Sequence, residues 1–349
     1  MLIENKHFLY IYDYLKEVLI MKKIFYIYKS GTLKRKDNSL CLESKKTVDY
    51  IPIEQTDMII CYGEITVNKR CLSLLNSYEI PILFYNFHGN YIGSYVPKEH
   101  KNGKIIFNQV NAYQDPETRL YISRVFLYGS FHNMLAVMKY YRKKGNNLDN
   151  QIISLNKYIN DIQKETSIDR LMLIEARAKK TYYECFDVIL NKEPFTFGKR
   201  IVHPPNNEIN ALLSYGYSLL YGIFLAILER SCLCPQISFI HSVDKGTDTL
   251  QFDLADIIKP VIIDRLVLRL IRKHQLKPQH FTYTSSNACY LSKEGRDLFI
   301  HEFDNLLESR ISYQGKNYSY RSLINKEVYK VEEYLHGYAD KLQPFMIGW

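Results

Sequence analysis

The sequence predicts an α+β protein in which a small N-terminal antiparallel β domain is followed by a larger all-α domain. Three observations carry that expectation. From Met21 to about Gly103, short β-type runs alternate with turn-forming residues. Beyond Asp115 the apolar residues recur at helical spacing over long stretches. A chain of 349 residues, 46% hydrophobic and 24% charged, has the length of two domains and the composition of a folded protein.

The first twenty residues, MLIENKHFLYIYDYLKEVLI, carry Glu4, Lys6, Asp13, Lys16 and Glu17. They therefore lack the clean apolar core and the small-residue cleavage site of a signal peptide. Met21-Lys22-Lys23 reads like a second start, so residues 1–20 are expected to be an upstream extension outside the fold. In the β domain, residues 21–103, the strands are expected at IFYIY (24–28), LCLE (40–43), DMIICY (57–62), ILFYNF (82–87) and YIGSYV (91–96). Ser30-Gly31, Lys36-Asp37-Asn38-Ser39 and His88-Gly89-Asn90 supply the turns. One helix over Thr66 to Tyr78, with Leu72, Leu74 and Leu75 on one side, interrupts them.

Residues 104–114 are expected to link the two domains, and residues 115–349 to form the helical one. Asp115-Pro116-Glu117 offers an N-cap with proline in the first turn, and Arg142-Lys143-Lys144-Gly145 offers cations before a terminating glycine. Thr166 and Asp169 fit a capping box for a helix from Ile168 to about Leu190. PVIIDRLVLRLIRK (260–273) and EGRDLFIHEFDNLLESR (294–310) continue the helical period. ALLSYGYSLLYGIFLAIL (211–228) has 18 residues without a charge, the threshold for a membrane span. Ser214, Ser218 and Tyr221 nevertheless line one polar face at helical spacing, and no second such run exists. A buried core helix, and no membrane partner, is the expectation.

The net charge of +9 favours acidic partners, and 30 tyrosines among the cations tilt that preference towards nucleic acid, whose bases stack on aromatic faces. Seven cysteines without paired CxxC spacing indicate neither a disulfide framework nor a thiolate zinc site, which fits a cytoplasmic location. Cys232 and Cys234 have no second pair and read as small buried hydrophobes.

Three places carry residues suited to chemistry. In LMLIEARAKKTYYECF (171–186), Glu175 shares a helix face with Leu171, Ala178 and Tyr182. A carboxylate in an apolar stripe needs a cation, a metal or a proton, and Lys179 at i+4 is one available partner. His241 ends the apolar run ISFI and is either a loop histidine or a ligand. Asp253 and Asp256 read as N-cap and N3 of a helix or, equally, as two carboxylates on one face, and Pro260 removes an N–H one turn later. Two carboxylates and an imidazole form an oxygen-rich set suited to Mg²⁺ or Mn²⁺ and so to phosphodiester chemistry. Glu175 lies far from His241 in sequence, and spacing alone does not join them.

These stretches have a further property together. LMLIEARAKKTYYECF, PPNNEINALLSYGYSLLYG (204–222), ISFIHS, FDLADIIKPVIIDRLVLRLI (252–271), FTYTSSNACYLSKEGRDLFIHEF (281–303) and YSYRSLINKEVYKVEEYL (318–335) occur in this order. With the N-terminal MKKIFYIYKSGTLKRKDNSLCLE and PILFYNFHGNYIGSY, they resemble the CRISPR-associated integrase-endonuclease family over residues 21 to 345. The resemblance implies that the helical domain is catalytic, that the protein is a homodimer, and that it assembles with the second core protein of spacer acquisition. It implies a metal site at Glu175, His241 and Asp256 that carries the catalysis, for which the donor set suggests Mg²⁺ or Mn²⁺; beside it Asp253 reads as a helix cap and a group supporting the ligands. It also implies a function: a metal-dependent DNA endonuclease and integrase that inserts short foreign fragments into a CRISPR array through 3′-hydroxyl attack, in antiviral defence. Ala176 stands where many members have glycine, and Asp256 where many have glutamate. Arg177, Lys179, Arg200, Lys245 and Arg321, with Tyr215 and Tyr217 as stacking surfaces, are the expected DNA contacts. The competing expectation is a non-catalytic basic DNA-binding scaffold of the same complex.

Overall fold

The computed structural model describes residues 22–86, 91–97, 102–191, 194–245 and 248–348, without the side chain of Lys245. The expected upstream extension, residues 1–20, lies outside the described residues. The chain divides into two compact units, Met1–Glu99 and His100–Trp349.

The first unit contains β1 (Lys23–Ile27), β2 (Gly31–Lys36), β3 (Ser39–Glu43), β4 (Val48–Ile51), β5 (Thr56–Cys61), β6 (Ile65–Val67), helix α1 (Lys69–Ser77), β7 (Ile82–Tyr85) and β8 (Tyr91–Tyr95). They form two four-stranded sheets, in the orders β1-β5-β7-β8 and β4-β3-β2-β6. The sheets are mixed and not purely antiparallel as expected. β1 pairs parallel with β5, β5 with β7, and β2 with β6. The reason is connectivity: β2, β3 and β4 build the second sheet before the chain returns to the first, so β5 re-enters beside β1 in the same direction. β2 escapes a periodicity reading because its sequence, GTLKRK, has a single apolar residue, Leu33, which is fully buried. Leu33, Leu40, Ile59, Cys71, Leu75 and Ile82 form the centre of this unit's core. Asn68 caps α1 by accepting from the Cys71 N–H at 3.0 Å.

The second unit is mostly helical, as predicted. Its helices are α2 (Gly103–Gln114), α3 (Pro116–Lys143), α4 (Asp149–Ile162), α5 (Ile168–Leu190), α6 (Glu208–Arg230), α7 (Leu250–Lys259), α8 (Arg265–Arg272), α9 (Lys293–Glu308) and α10 (Tyr320–His336). Two short antiparallel ladders interrupt them: β9 (Phe281–Tyr283) with β10 (Cys289–Leu291), and β11 (Arg310–Tyr313) with β12 (Lys316–Ser319). The segment expected as a linker, 104–114, is helical instead, because Asn102 caps it through the Lys104 N–H and Ile105, Gln109 and Ala112 give it a buried face. Asp115 then caps α3 as the sequence indicated, accepting from Thr118 N–H at 2.9 Å.

The apolar run 211–228 belongs to α6. Among the described residues α6 is the one helix long and apolar enough to cross a membrane, yet 83% of its apolar window is buried inside the fold. It is a core helix. A Cβ built on Gly216 of α6 would stand 2.6 Å from Ile263 Cγ2 and 3.0 Å from Phe299 Cζ, so only a glycine lets the 260–264 segment approach so closely. Gly129 of α3 plays the same part for α7, with Pro344 Cβ at 2.5 Å and Ile257 Cγ2 at 3.2 Å.

The segment after α10 returns across α3 and is tied there by Asn133. The Asn133 amide donates to the Ile257 carbonyl at 2.6 Å and the Phe345 carbonyl at 2.9 Å, and its oxygen accepts from the Ile347 N–H at 2.9 Å. One buried side chain thus joins α3, α7 and the segment at 345–347, which fixes the helix that carries Asp256. Gly216→Val is expected to lower stability by about 1–3 kcal/mol through overpacking against Ile263. Chemical denaturation checks this, and an unchanged midpoint would refute the close approach.

Candidate active site

The sequence places Glu175 in the middle of α5, and the helix buries it together with Leu171, Ile174, Ala178 and Tyr182. The helix is capped by Ser167, whose hydroxyl accepts from Arg170 N–H at 3.3 Å, and not by the expected Thr166. Glu175 is 7% exposed. Both readings of it hold at once, since the buried carboxylate is also paired with Lys179, Nζ to Oε1 being 2.7 Å.

The same ammonium lies 2.8 Å from Oδ2 of Asp256, 77 residues along the chain. The two carboxylates therefore face each other across one cation, no further apart than the sum of those distances. The other oxygen of Asp256 is held by Lys259. Lys259 is itself packed over the rings of Tyr217 and Tyr221, at 4.8 and 4.5 Å. Burial opposes the charge of Asp256, but Lys179, Lys259 and then His241 outweigh it and hold the carboxyl far below its ordinary value. Glu175 moves the other way: burial raises it, and the nearby charge of Asp256 adds to the rise, against the pull of Lys179.

Asp253 is not the helix cap that its spacing suggested. α7 begins a turn earlier, at Leu250, and Asp253 sits fully buried inside it. Its carboxylate organises the preceding loop: Oδ2 accepts from Phe239 N–H at 2.7 Å and Ile240 N–H at 3.0 Å, and Oδ1 from His241 N–H at 3.3 Å. The His241 ring adds a fourth bond, Nδ1 to Oδ1 at 2.6 Å. With Nδ1–H committed to that carboxylate, Nε2 is the ring nitrogen left for other work. Burial works against the imidazolium, yet Asp253, followed by Asp256 and Glu175, raises His241 above its ordinary value. Those last two causes place His241 within electrostatic reach of both site carboxylates. Arg119 and Ser123 of α3 pin the loop from behind through the Phe239 carbonyl, at 3.0 and 3.1 Å.

Pro260, which lacks the N–H that would close the regular ladder, is followed by a π-helical turn over Pro260–Asp264 before α8 resumes. This turn buries Asp264, a residue the sequence reading passed over. Tyr217 donates to its Oδ1 at 2.5 Å and stands 2.9 Å from the Tyr183 hydroxyl. Burial raises the Asp264 carboxyl to about 7, against the pull of the Tyr217 and Tyr182 hydroxyls. A small cavity of about 30 Å³ separates the two acidic centres, lined by Lys179, Tyr183, Tyr217, Lys259 and Pro260 as well as by Asp256 and Asp264. A larger hollow of about 450 Å³, lined by Asn108, Asn111, Thr118 and Tyr334 among others, contains none of these residues.

The expected nucleic-acid contacts fare differently. Arg177 is exposed on the face of α5 that also exposes Ala176. Lys179 is engaged by the carboxylates. Arg200 donates inward to the Ile201 carbonyl, Asn210 Oδ1 and Ser214 Oγ, at 2.8, 3.1 and 3.0 Å. Arg321 pairs with Glu308 at 2.8 Å. Tyr215 and Tyr217 are both 6% exposed, the first packed on Phe299 and the second bound to Asp264. Neither presents a ring face for a base to stack on, because α6 is interior. The Lys245 side chain lies outside the described residues.

Among the described residues no set of three His, Cys, Asp or Glu side chains is grouped closely enough to hold a metal ion as it stands. In this arrangement two lysines are paired with the oxygens of Asp256, and one of them also pairs with Glu175.

Comparison with known proteins adds family information to this geometry. The family described as CRISPR associated protein Cas1 matches residues 25–305. A CRISPR-associated endonuclease Cas1 from Thermodesulfovibrio yellowstonii is 38% identical over 332 residues, covering 94% of this chain and all of the relative. The solved structure of a CAS1 protein from Thermotoga maritima is 34% identical, with a TM-score of 0.81 over 94% of this chain and 99% of that one. A casposase bound to integration product has the same fold at 22% identity, TM-score 0.82 over 92% of each chain.

Two outcomes follow from the buried carboxylates. Asp253→Ala removes the acceptor for three backbone N–H groups and the imidazole, and is expected to cost about 3–5 kcal/mol in chemical denaturation, the scale of a broken buried pair. Asp264, with its folded value raised to about 7 from 3.8, favours the folded state only while protonated, so its contribution is lost as pH rises from about 4 through 7. Asp264→Asn should therefore gain stability relative to wild type between pH 5 and pH 8. A relative loss over that range would refute the assignment.

Proposed function

Since the chain belongs to the CRISPR-associated Cas1 family, we propose that it is a metal-dependent DNA endonuclease and integrase acting through Glu175, His241 and Asp256. The observation that carries this reading is the convergence of the Glu175 and Asp256 carboxylates on one cationic centre, from helices 77 residues apart at Lys179 and Asp256. The donor set fits a hard divalent ion: two carboxylates whose facing oxygens already share a single positive charge, and an imidazole whose Nδ1 is tied back. Glu175, Asp256 and Nε2 of His241 are the groups that would hold it. Mg²⁺ or Mn²⁺ bound there supplies Lewis-acid polarisation of a phosphoryl oxygen and charge compensation as a hydroxyl attacks phosphorus.

The chain's own residues prepare the rest. Asp253 fixes the tautomer and direction of His241 through a bond shorter than those it accepts from Phe239, Ile240 and His241 backbone N–H groups. Lys259, packed over the rings of Tyr217 and Tyr221, holds Asp256 in place. Arg177, exposed on the helix of Glu175, provides a cation for the phosphate backbone. Attack of water on phosphorus would break one ester P–O bond and release a strand end as its hydroxyl; attack by the 3′-hydroxyl of a DNA fragment would instead form a new phosphodiester as the same kind of bond breaks, the attacking proton being lost and the leaving oxygen protonated. The integrase half of the proposal is supported by the fold shared with a casposase bound to integration product. The spacer-acquisition setting, with a homodimer and the second core adaptation protein, rests on the family.

Glu175→Ala, His241→Ala and Asp256→Ala proteins are to be compared with wild type in joining a labelled DNA fragment to a repeat-containing plasmid, with Mg²⁺, Mn²⁺ or EDTA. Each substitution is expected to lower the rate by about 10²–10³-fold, the scale of losing one preorganised charge-stabilising group, while DNA retention on a gel persists. Joining that survives in EDTA or in all three variants would favour the non-catalytic scaffold and overturn the site.

A further inference from the structure

We propose that Lys179 is a built-in competitor for the divalent cation, a side chain that must leave the space between Glu175 and Asp256 before an ion can enter. The inference rests on the reading of those two carboxylates as ion-holding groups, and it assigns a further role to a residue that the sequence marked as an ion-pair partner of Glu175 and as a DNA contact.

The geometry sets the exclusion. Lys179 Nζ lies 2.7 Å from Glu175 Oε1 and 2.8 Å from Asp256 Oδ2. Divalent ions take oxygen ligands at distances shorter than these, so an ion held by the same carboxylates would need the space the ammonium fills. Two cations do not share that space. Lys179 comes from α5 itself, one turn after Glu175, and its side chain is 31% exposed while the carboxylates are 9% and 6% exposed. Its side chain thus has a route to solvent. Lys259 is more enclosed: its side chain is 13% exposed and lies over two tyrosine rings. The two lysines on Asp256 therefore differ in kind, one a fixed support and one exchangeable.

The exchange also changes the charge of the site. Two carboxylates facing two ammonium groups are balanced; replacing one ammonium by a divalent ion leaves a positive excess beside Lys259. Ion entry and binding of a phosphodiester anion are then mutually reinforcing.

The test is Mn²⁺ binding to the full chain, followed by calorimetry and by loss of the free-ion EPR signal. If the state with Lys179 withdrawn is populated to a tenth, removing the competitor tightens apparent binding about tenfold. Lys179→Met is expected to show that gain, Lys180→Met to bind as wild type does, and Glu175→Gln to lose binding. Lys179→Gln, which keeps an N–H donor between the carboxylates without the charge, guards against poor folding of the methionine variant and should also bind more tightly. Thermal denaturation should show both variants less stable than wild type in EDTA and more strongly stabilised by Mn²⁺. Unchanged or weaker Mn²⁺ binding in both Lys179 variants, with Glu175→Gln still abolishing it, overturns the competitor alone. Binding that Glu175→Gln leaves intact overturns the ion site itself.

Discussion

Two carboxylates buried against each other are the constraint on which the rest of this site depends. Glu175 and Asp256 are both removed from water, and neither charge survives burial unless a cation stands close by. Lys179 meets that demand for both carboxylates, and Lys259 meets it for the second oxygen of Asp256. The helix that carries Asp256 packs closely on α3 at Gly129, and the π turn that follows it packs closely on α6 at Gly216.

A second acidic centre follows another rule. Asp264 is bonded by a tyrosine hydroxyl, and burial raises its carboxyl against the pull of Tyr217 and Tyr182. Asp256 and Asp264 thus lie on one helical run, eight positions apart, with carboxyl groups driven in opposite directions. The two acidic groups line one small cavity together with Lys179 and Lys259.

Much of the architecture was legible in the sequence. The division into strands and then helices, the length of α3 and the interior character of α6 follow from periodicity and caps, which are local properties. Strand direction was not legible, because nothing in IFYIY or DMIICY records that three strands of a second sheet intervene between them. Glu175 announced itself as a charge in an apolar stripe. His241 and Asp256 did not, and only the family resemblance joined them to it. Asp253 illustrates the limit most clearly: its spacing from Asp256 matches a helix cap, and a local rule has no means of seeing the loop fourteen residues earlier that wraps around its carboxylate. Tyr215, Tyr217, Arg200 and Arg321 were read as surface groups from their residue types, whereas the fold turns each of them inward. Lys259 and Asp264 were missed although each had a signal, a cation at i+3 from a carboxylate and a lone acid in an apolar run.

Asn133 has a bearing on the geometry of the site. Its bonds to Ile257 and Phe345 span 124 and 212 residues of chain, so the register of α7 is settled by contacts whose loops are among the costliest to close. The pairing of Glu175 with Asp256 thus leans on ties that close some of the longest loops in the chain, so a change at Asn133, which touches neither carboxylate, reaches their geometry through the placement of α7.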